Sequence, residues 1–235
     1  MAIRMHETHP VRQTPAGQSI SSEATGPASD WRRELPTLTG ESVVLRQIRL
    51  SDAASLLMFL GSEDAVRYTT AAPATVPAFE EMIQTAIDRQ RQGRSAIFAV
   101  LPRGTDVAVG IVQVRSLERG FKTAEWGVAL GTPYWGRGLF TGAAALTMQF
   151  AFETVGVQRL EARSRVDNAR ANAAFRKIGA VLEGVLRETF ERDGRRYDEC
   201  LWSILPGERG PSGGRPAGNA PDGLFGREGG DVVVH

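Results

Sequence analysis

Three features of the sequence predict an α/β fold of the α+β kind: a mixed, mostly antiparallel twisted sheet of about seven strands flanked by about four helices. Strand-like and helix-like periodicities alternate along the middle of the 235-residue chain. Short turns carrying Gly104-Thr105-Asp106 and Arg119-Gly120 join three consecutive strand candidates, which favours an antiparallel meander. Asp193-Gly194, a strong hairpin dipeptide, separates two long strand-like runs near the end.

Each element has its own signature. Val43 to Arg49 reads as a first strand. Ser51 is a plausible N-cap for a short helix with Leu56, Leu57 and Leu60 on one face and Gly61 as its stop. Phe79, Met82, Ile83, Ala86 and Ile87 recur at helical spacing up to Gly93. Residues 96–101, 107–116 and 123–130 are the three meander strands. A helix follows with Leu139, Ala143, Leu146 and Phe150 on one stripe. Arg159 to Arg165 is a fifth strand. Asp167 or Asn168 opens a helix closed by Gly179, with Arg176 and Lys177 in its last turn. Residues 180–191 and 195–205 form the final hairpin. Residues 1–35 mix Pro, Gly, Ser and charges without periodicity and read as a disordered leader. Residues 206–235 read as a disordered tail, leaving one domain over 36–205.

Composition narrows the chemistry. A net charge of +1 argues against a nucleic-acid or membrane-surface electrostatic mode. One cysteine, Cys200, excludes an internal disulfide and points to a reducing, cytoplasmic setting. His6, His9 and His235 all fall in the two tails, so a Ser-His-Asp or Cys-His nucleophile has no base in the folded part. His/Cys zinc sites fall for the same reason, and no metal is expected. Catalysis must run on carboxylates, hydroxyls, backbone amides or a substrate held in place.

The most informative stretch is Tyr134-Trp135-Gly136-Arg137-Gly138-Leu139-Phe140-Thr141, between the 123–130 strand and the helix that follows. At a helix start the first N–H groups have no intrahelical partner, and the helix dipole adds partial positive charge. That is an anion site in waiting, approached closely over two glycines. The same spacing also suits a plain strand-to-helix connection. No G-x-x-x-x-G-K-[ST] run is present, which sets aside a P-loop NTPase. No dinucleotide G-x-G-x-x-G follows a strand with an acidic residue beyond a second one.

Trp135-Gly136-Arg137-Gly138-Leu139-Phe140 resembles the acyl-CoA pyrophosphate loop of the GNAT acetyltransferase superfamily, [QR]-x-x-G-x-[GA], with departures at its first and last positions. Trp-Gly-x-Gly, a larger residue and then Thr is similar to the RimJ/RimL-type branch, named for ribosomal-protein N-terminal acetyltransferases. Asn168 to Ala180 resembles the superfamily's N-x-x-S/A…K-x-G-F/A helix, and the element order matches across residues 36–205.

The resemblance implies acetyl transfer from acetyl-CoA, as co-substrate, to a protein N-terminal amine or a small amine. It implies that Arg137, Gly138, Leu139, Phe140 and Thr141 cradle the pyrophosphate through main-chain N–H groups. It implies a splay between the fourth and fifth strands, with Val128, Ala129 and Leu130 offering backbone to pantetheine and one N–H meeting the oxyanion. Asn168 is implied to bond the pantetheine arm, Tyr68 to line the acceptor site, and Glu125 to take the amine proton, usually through water. Each of these has a plainer reading: Asn168 as a helix N-cap, Tyr68 as a surface tyrosine, Glu125 as the partner of an arginine on a neighbouring strand.

Phe175 stands where many members have a tyrosine general acid, which leaves Ser164 and Tyr134 as weak substitutes. Trp126 and Trp135 read as packing residues. A monomer or homodimer is expected, and neither the net charge nor any long apolar run suggests a nucleic-acid or membrane partner. Transfer of a longer acyl group such as succinyl, or a non-catalytic acyl-CoA-binding module, are the alternatives.

Overall fold

The computed structural model describes residues 30–68 and 73–208. In chain order the elements are β1 (Leu38–Thr39), β2 (Val43–Gln47), α1 (Ala53–Leu60), α2 (Glu63–Val66), α3 (Val76–Arg91), β3 (Ser95–Pro102), β4 (Gly110–Ser116), β5 (Thr123–Leu130), α4 (Leu139–Gln149), β6 (Arg159–Arg165), α5 (Ala169–Lys177), β7 (Val181–Arg192) and β8 (Arg195–Ile204). One eight-stranded sheet runs β1-β2-β3-β4-β5-β6-β8-β7. Every pair is antiparallel except β5–β6, which the α4 crossover makes parallel.

That parallel pair is short. It has only three rungs, Thr123↔Arg159, Ala124↔Leu160 and Glu125↔Glu161, and then the strands part. On its other edge β5 pairs with β4 along its whole length, from Ala124↔Ser116 to Leu130↔Gly110. The second half of β5 therefore presents an unpaired edge in the middle of the sheet.

The sheet's two faces carry different cores. Ala124, Trp126 and Val128 of β5 and Leu160 and Ala162 of β6 pack with Leu139, Ala143 and Met148 of α4 and Ala171 and Phe175 of α5. Phe175 is fully buried, stacked on Trp202 and edge-on to Trp126 and Phe140. On the other face Ile97, Ala99, Leu101 and Ile111 meet Leu56, Phe79 and Ile83 of α1 and α3. These helices cover β2 to β4 and reach the Ala129 end of β5. Beyond them, the same face carries Glu125 of β5, Glu161, Arg163 and Arg165 of β6, and Glu199 and Leu201 of β8. Their odd positions follow from the pleat, since their even neighbours face α4 and α5.

Several expectations change in detail. The leader was to run to residue 35, but Trp31 and Leu35 are buried in the first core. Trp31 packs edge-on against Phe121 and Phe150, and its carbonyl accepts from Gln90 Nε2 at 3.0 Å. Residues 1–29 and 209–235, also assigned to the leader and tail, lie outside the described residues. Ser51 does not cap a helix. It sits inside a 3-10 turn, Leu50–Asp52, where buried Asp52 accepts from Arg46 Nη1 and Nη2 at 2.8 Å and from the Arg49 N–H at 2.8 Å.

The 107–116 strand begins only at Gly110, although Val109 N still donates to Val100 O. A Cβ at 110 would come within 2.3 Å of Ala129 O, so the two strands approach at a residue without one. The stripe ending at Phe150 continues as a π-helix, Phe150–Val155, closed by Gly156 at φ 82°. The final hairpin turns as expected, with Asp193 at φ 50° and Gly194 at φ 72° between paired Arg192 and Arg195. No helix among the described residues is long and apolar enough to cross a membrane.

Candidate active site

The parting of β5 and β6 opens onto a cavity of about 470 Å³. Four chain segments wall it: Val128 to Leu130 of β5; Gly136, Gly138, Phe140 and Thr141 of the loop and α4; Asn168, Arg170, Ala171 and Lys177 at α5; and Asp64, Arg67 and Tyr68 at α2. The glycine loop, the β5 edge, Asn168 and Tyr68, which the family resemblance implied, thus border one cavity.

At the loop end, Gly138 is the N-cap of α4 with φ 78°, and no side chain caps the helix. The first bond within α4 runs from Gly142 N to Gly138 O. The N–H groups of Leu139, Phe140 and Thr141 therefore head the helix without an intrahelical partner. Gly136 also has positive φ, 74°, and a Cβ on either glycine would meet nothing within 4 Å. This concave, open, donor-rich head fits a diphosphate. Leu139 is buried in the core, so only its backbone can serve. Arg137 does not line the cavity; its guanidinium lies 5.6 Å from the Tyr134 ring centroid.

Along β5 the pleat sorts the three expected residues. Gly131 N donates to Val109 O on the β4 side, so the backbone groups of Ala129 face β4, and those of Val128 and Leu130 face the gap. Leu130 O accordingly accepts from Trp135 Nε1 at 2.8 Å. Trp135 is thus more than packing: it pins the loop to the strand edge, and Arg170 lies 3.6 Å above its ring. Trp126, by contrast, is core.

Asn168 fulfils its plainer reading and still reaches the cavity. Its Oδ1 accepts Ala171 N at 3.1 Å as the N-cap of α5, and it lines the pocket wall. Ser164 is removed as a proton donor. Its hydroxyl donates to Asn172 Oδ1 at 2.6 Å and accepts from Trp202 Nε1 at 3.1 Å, with no exposure at all. Phe175 is equally sealed.

Glu125 stands outside the cavity lining, at the last rung before the strands part. Its Oε2 accepts from Arg115 Nη2 on β4 at 2.6 Å, the cross-strand pairing that was its plainer reading. Oε1 has no hydrogen-bond partner among the described residues.

Tyr68 belongs to a cluster that sequence reasoning missed. The Arg165 guanidinium lies 3.6 Å from the Tyr197 ring centroid, 5.1 Å from that of Tyr68 and 5.7 Å from that of Phe190. Its Nε donates to Asp167 Oδ1 at 2.9 Å. A second tie, from Arg192 Nη1 to Val66 O, joins the β7–β8 hairpin to α2. Residues from α2, β6, β7 and β8 meet here, and no local pattern signals such a junction. No group of three or more metal-ligating side chains occurs among the described residues.

The Acetyltransferase (GNAT) domain family matches residues 42–181 of the chain. An uncharacterized N-acetyltransferase of Bacillus licheniformis, p20, is 26% identical over 175 residues, covering 74% of this chain and 98% of that protein. Among solved structures, Mycobacterium smegmatis RimJ in complex with CoA-disulfide aligns with a TM-score of 0.64 at 23% identity, over 69% of this chain and 81% of that one. The microcin C7 self-immunity acetyltransferase MccE, in complex with acetyl-CoA and AMP, aligns with a TM-score of 0.64 at 23% identity, over 71% and 93%.

Proposed function

The chain belongs to the GNAT family of acyl-CoA-dependent acetyltransferases, and from that premise we propose that it acetylates a primary amine, a protein N-terminus or a small molecule, by direct attack while both substrates are bound. The observation that carries this reading is the unpaired β5 edge opening beside the uncapped head of α4. In the proposed complex the N–H groups of Leu139, Phe140 and Thr141 bind the pyrophosphate of acetyl-CoA, and Arg170 and Lys177 add positive charge to the same wall. The gap-facing backbone groups of Val128, with the Leu130 N–H, receive the pantetheine arm as an added strand. Acetyl-CoA supplies an activated acyl carbon; the protein supplies position, which replaces a bimolecular encounter with a bound geometry.

The amine nitrogen bonds that carbon, and the carbon–sulfur bond breaks. The proton lost by the amine passes through water to Oε1 of Glu125, and the departing thiolate takes its proton from Tyr134, which lines the cavity, or from water, since Phe175 and Ser164 are sealed. The amine enters past Tyr68, which lines the cavity.

Thiol release from acetyl-CoA, measured with a panel of amines and short peptides, tests the reading. Acceptor-dependent release, reduced tenfold or more by Glu125→Gln, is expected. Coenzyme binding with no turnover across the panel would instead mark a binding module.

A further inference from the structure

The face of the sheet that carries Glu125 has four arginines near the gap, and three of them are matched. Arg115 pairs with Glu125, Arg159 with Glu161 and Glu183, and Arg165 with Asp167. Arg163 is the exception. Its Nε is buried without a hydrogen-bond partner, and among the described residues it makes no ion pair. A buried guanidinium nitrogen left unsatisfied calls for an explanation, because such donors are normally paired.

Its position supplies one. Arg163 lies on β6 two residues past the last rung, Glu125↔Glu161, where the strands have parted. Had the register continued, its neighbour on β5 would be Gly127, which has no side chain to fill the space. On β8 its partner is Leu201, which offers no charge. The next residue on the same face, Arg165, lies against Tyr68 of the cavity wall. Arg163 thus stands between the Tyr68 end of the cavity and Glu125. Glu125 and Glu161, on the last rung, are already engaged by other arginines, and Glu199, which faces Arg165 across β8, accepts from Thr189.

We propose that Arg163 binds a carboxylate of the acceptor, so that the acceptors of this enzyme are amines bearing a carboxylate a few bonds from the nitrogen, such as peptides with Asp or Glu at their first or second position. This rests on the acetyl-transfer reading above and deepens it. Guanidinium and carboxylate form a charge-assisted, bidentate pair, so an anion here is favoured over a neutral isostere. The amine would then lie toward Gly127, within reach of water on Glu125. A polyamine would place a cation against Arg163 and is disfavoured.

The test uses peptide amides in matched pairs, Ser-Asp with Ser-Asn and Ser-Glu with Ser-Gln, and a diamine, with the full chain and acetyl-CoA. We expect KM at least tenfold lower for the acidic member of at least one pair, with similar kcat. In Arg163→Gln that preference disappears while the neutral peptide keeps its KM within about threefold, and Arg163→Lys restores part of it. An unchanged melting temperature and coenzyme affinity separate this from misfolding. The proposal is overturned if the wild type does not discriminate within the pairs, if the diamine is preferred, or if Arg163→Gln lowers kcat equally for every acceptor. Thiol release with neutral amines but no acid preference sinks this inference alone; absence of coenzyme binding sinks the acetyl-transfer reading with it.

Discussion

Gly138 stands at φ 78° with open space where a side chain would project. Two penalties meet in Gly138→Glu: a non-glycine residue pays about 1–2 kcal/mol for the left-handed region, and its carboxylate enters a cradle built for anions. Coenzyme affinity, measured by calorimetry, is expected to fall tenfold or more, about 1.4 kcal/mol; unchanged affinity would remove the loop from the site. Phe175 makes the opposite point. Introducing the hydroxyl that the family resemblance implies, Phe175→Tyr, would place it in a fully buried site among the rings of Trp126, Phe140 and Trp202. The expected result is a loss of stability on the order of 1–3 kcal/mol and no gain in kcat, read by urea unfolding and thiol release. At this scale much was legible: two glycines and an asparagine declare their backbone needs in the sequence. Arg163 was not, because an unmatched charge is visible only once its neighbours are known to be spoken for.

Among the elements, the β7–β8 hairpin is tied down by charges from other strands. Ser203 and the Arg159 guanidinium bond Glu183, and the arginine contact holds its carboxyl below the usual carboxylate range. A depressed folded value means that this stabilisation is complete above the unfolded value, near pH 4.5, and is lost as pH falls through the lower folded one. Wild type should therefore lose more stability than Glu183→Gln between about pH 5 and pH 3, followed by denaturant midpoints at each pH. Arg165 ties the same hairpin to α2. Arg165→Met should raise hydrogen exchange over 63–68 and 188–198 and cost on the order of 2 kcal/mol; protection unchanged in both segments would refute the link. The hairpin itself could be read in advance from Asp193-Gly194, as could α3 and α5 from stripe and cap. The four-residue α2 and two-residue β1 could not. Elements so short have no period to detect, and tertiary contacts define them.

For the molecule as a whole, the first core reaches from Trp31 to Ile204, so the segment before β1 belongs to the folding unit. Trp31→Ala should cost about 3 kcal/mol, and a chain beginning at residue 36 at least as much. The check is a single cooperative urea transition displaced to lower midpoint; coincident curves would put Trp31 outside the core. Trp31 and Leu35 stand among polar and charged residues with too few apolar positions to show a period, which is why they were read as part of the leader. Cys200 is wholly buried and desolvation pushes its thiol up, so alkylation at neutral pH should follow global unfolding alone. The β3–β4–β5 meander was legible from its short turns; that β8 rather than β7 lies beside β6 was not. That β5 and β6 separate could be expected from the family resemblance, whereas no residue pattern marks where they do.

Those three rungs leave the eight strands as two half-sheets joined by a narrow seam. Whatever fills the seam with hydrogen bonds becomes mortar as well as reactant. The free protein should breathe about that line, and its melting point should climb with the logarithm of coenzyme concentration. A cell rich in acetyl-CoA would then hold a sturdier protein than a starved one, and turnover of the chain itself would follow the supply of its own donor.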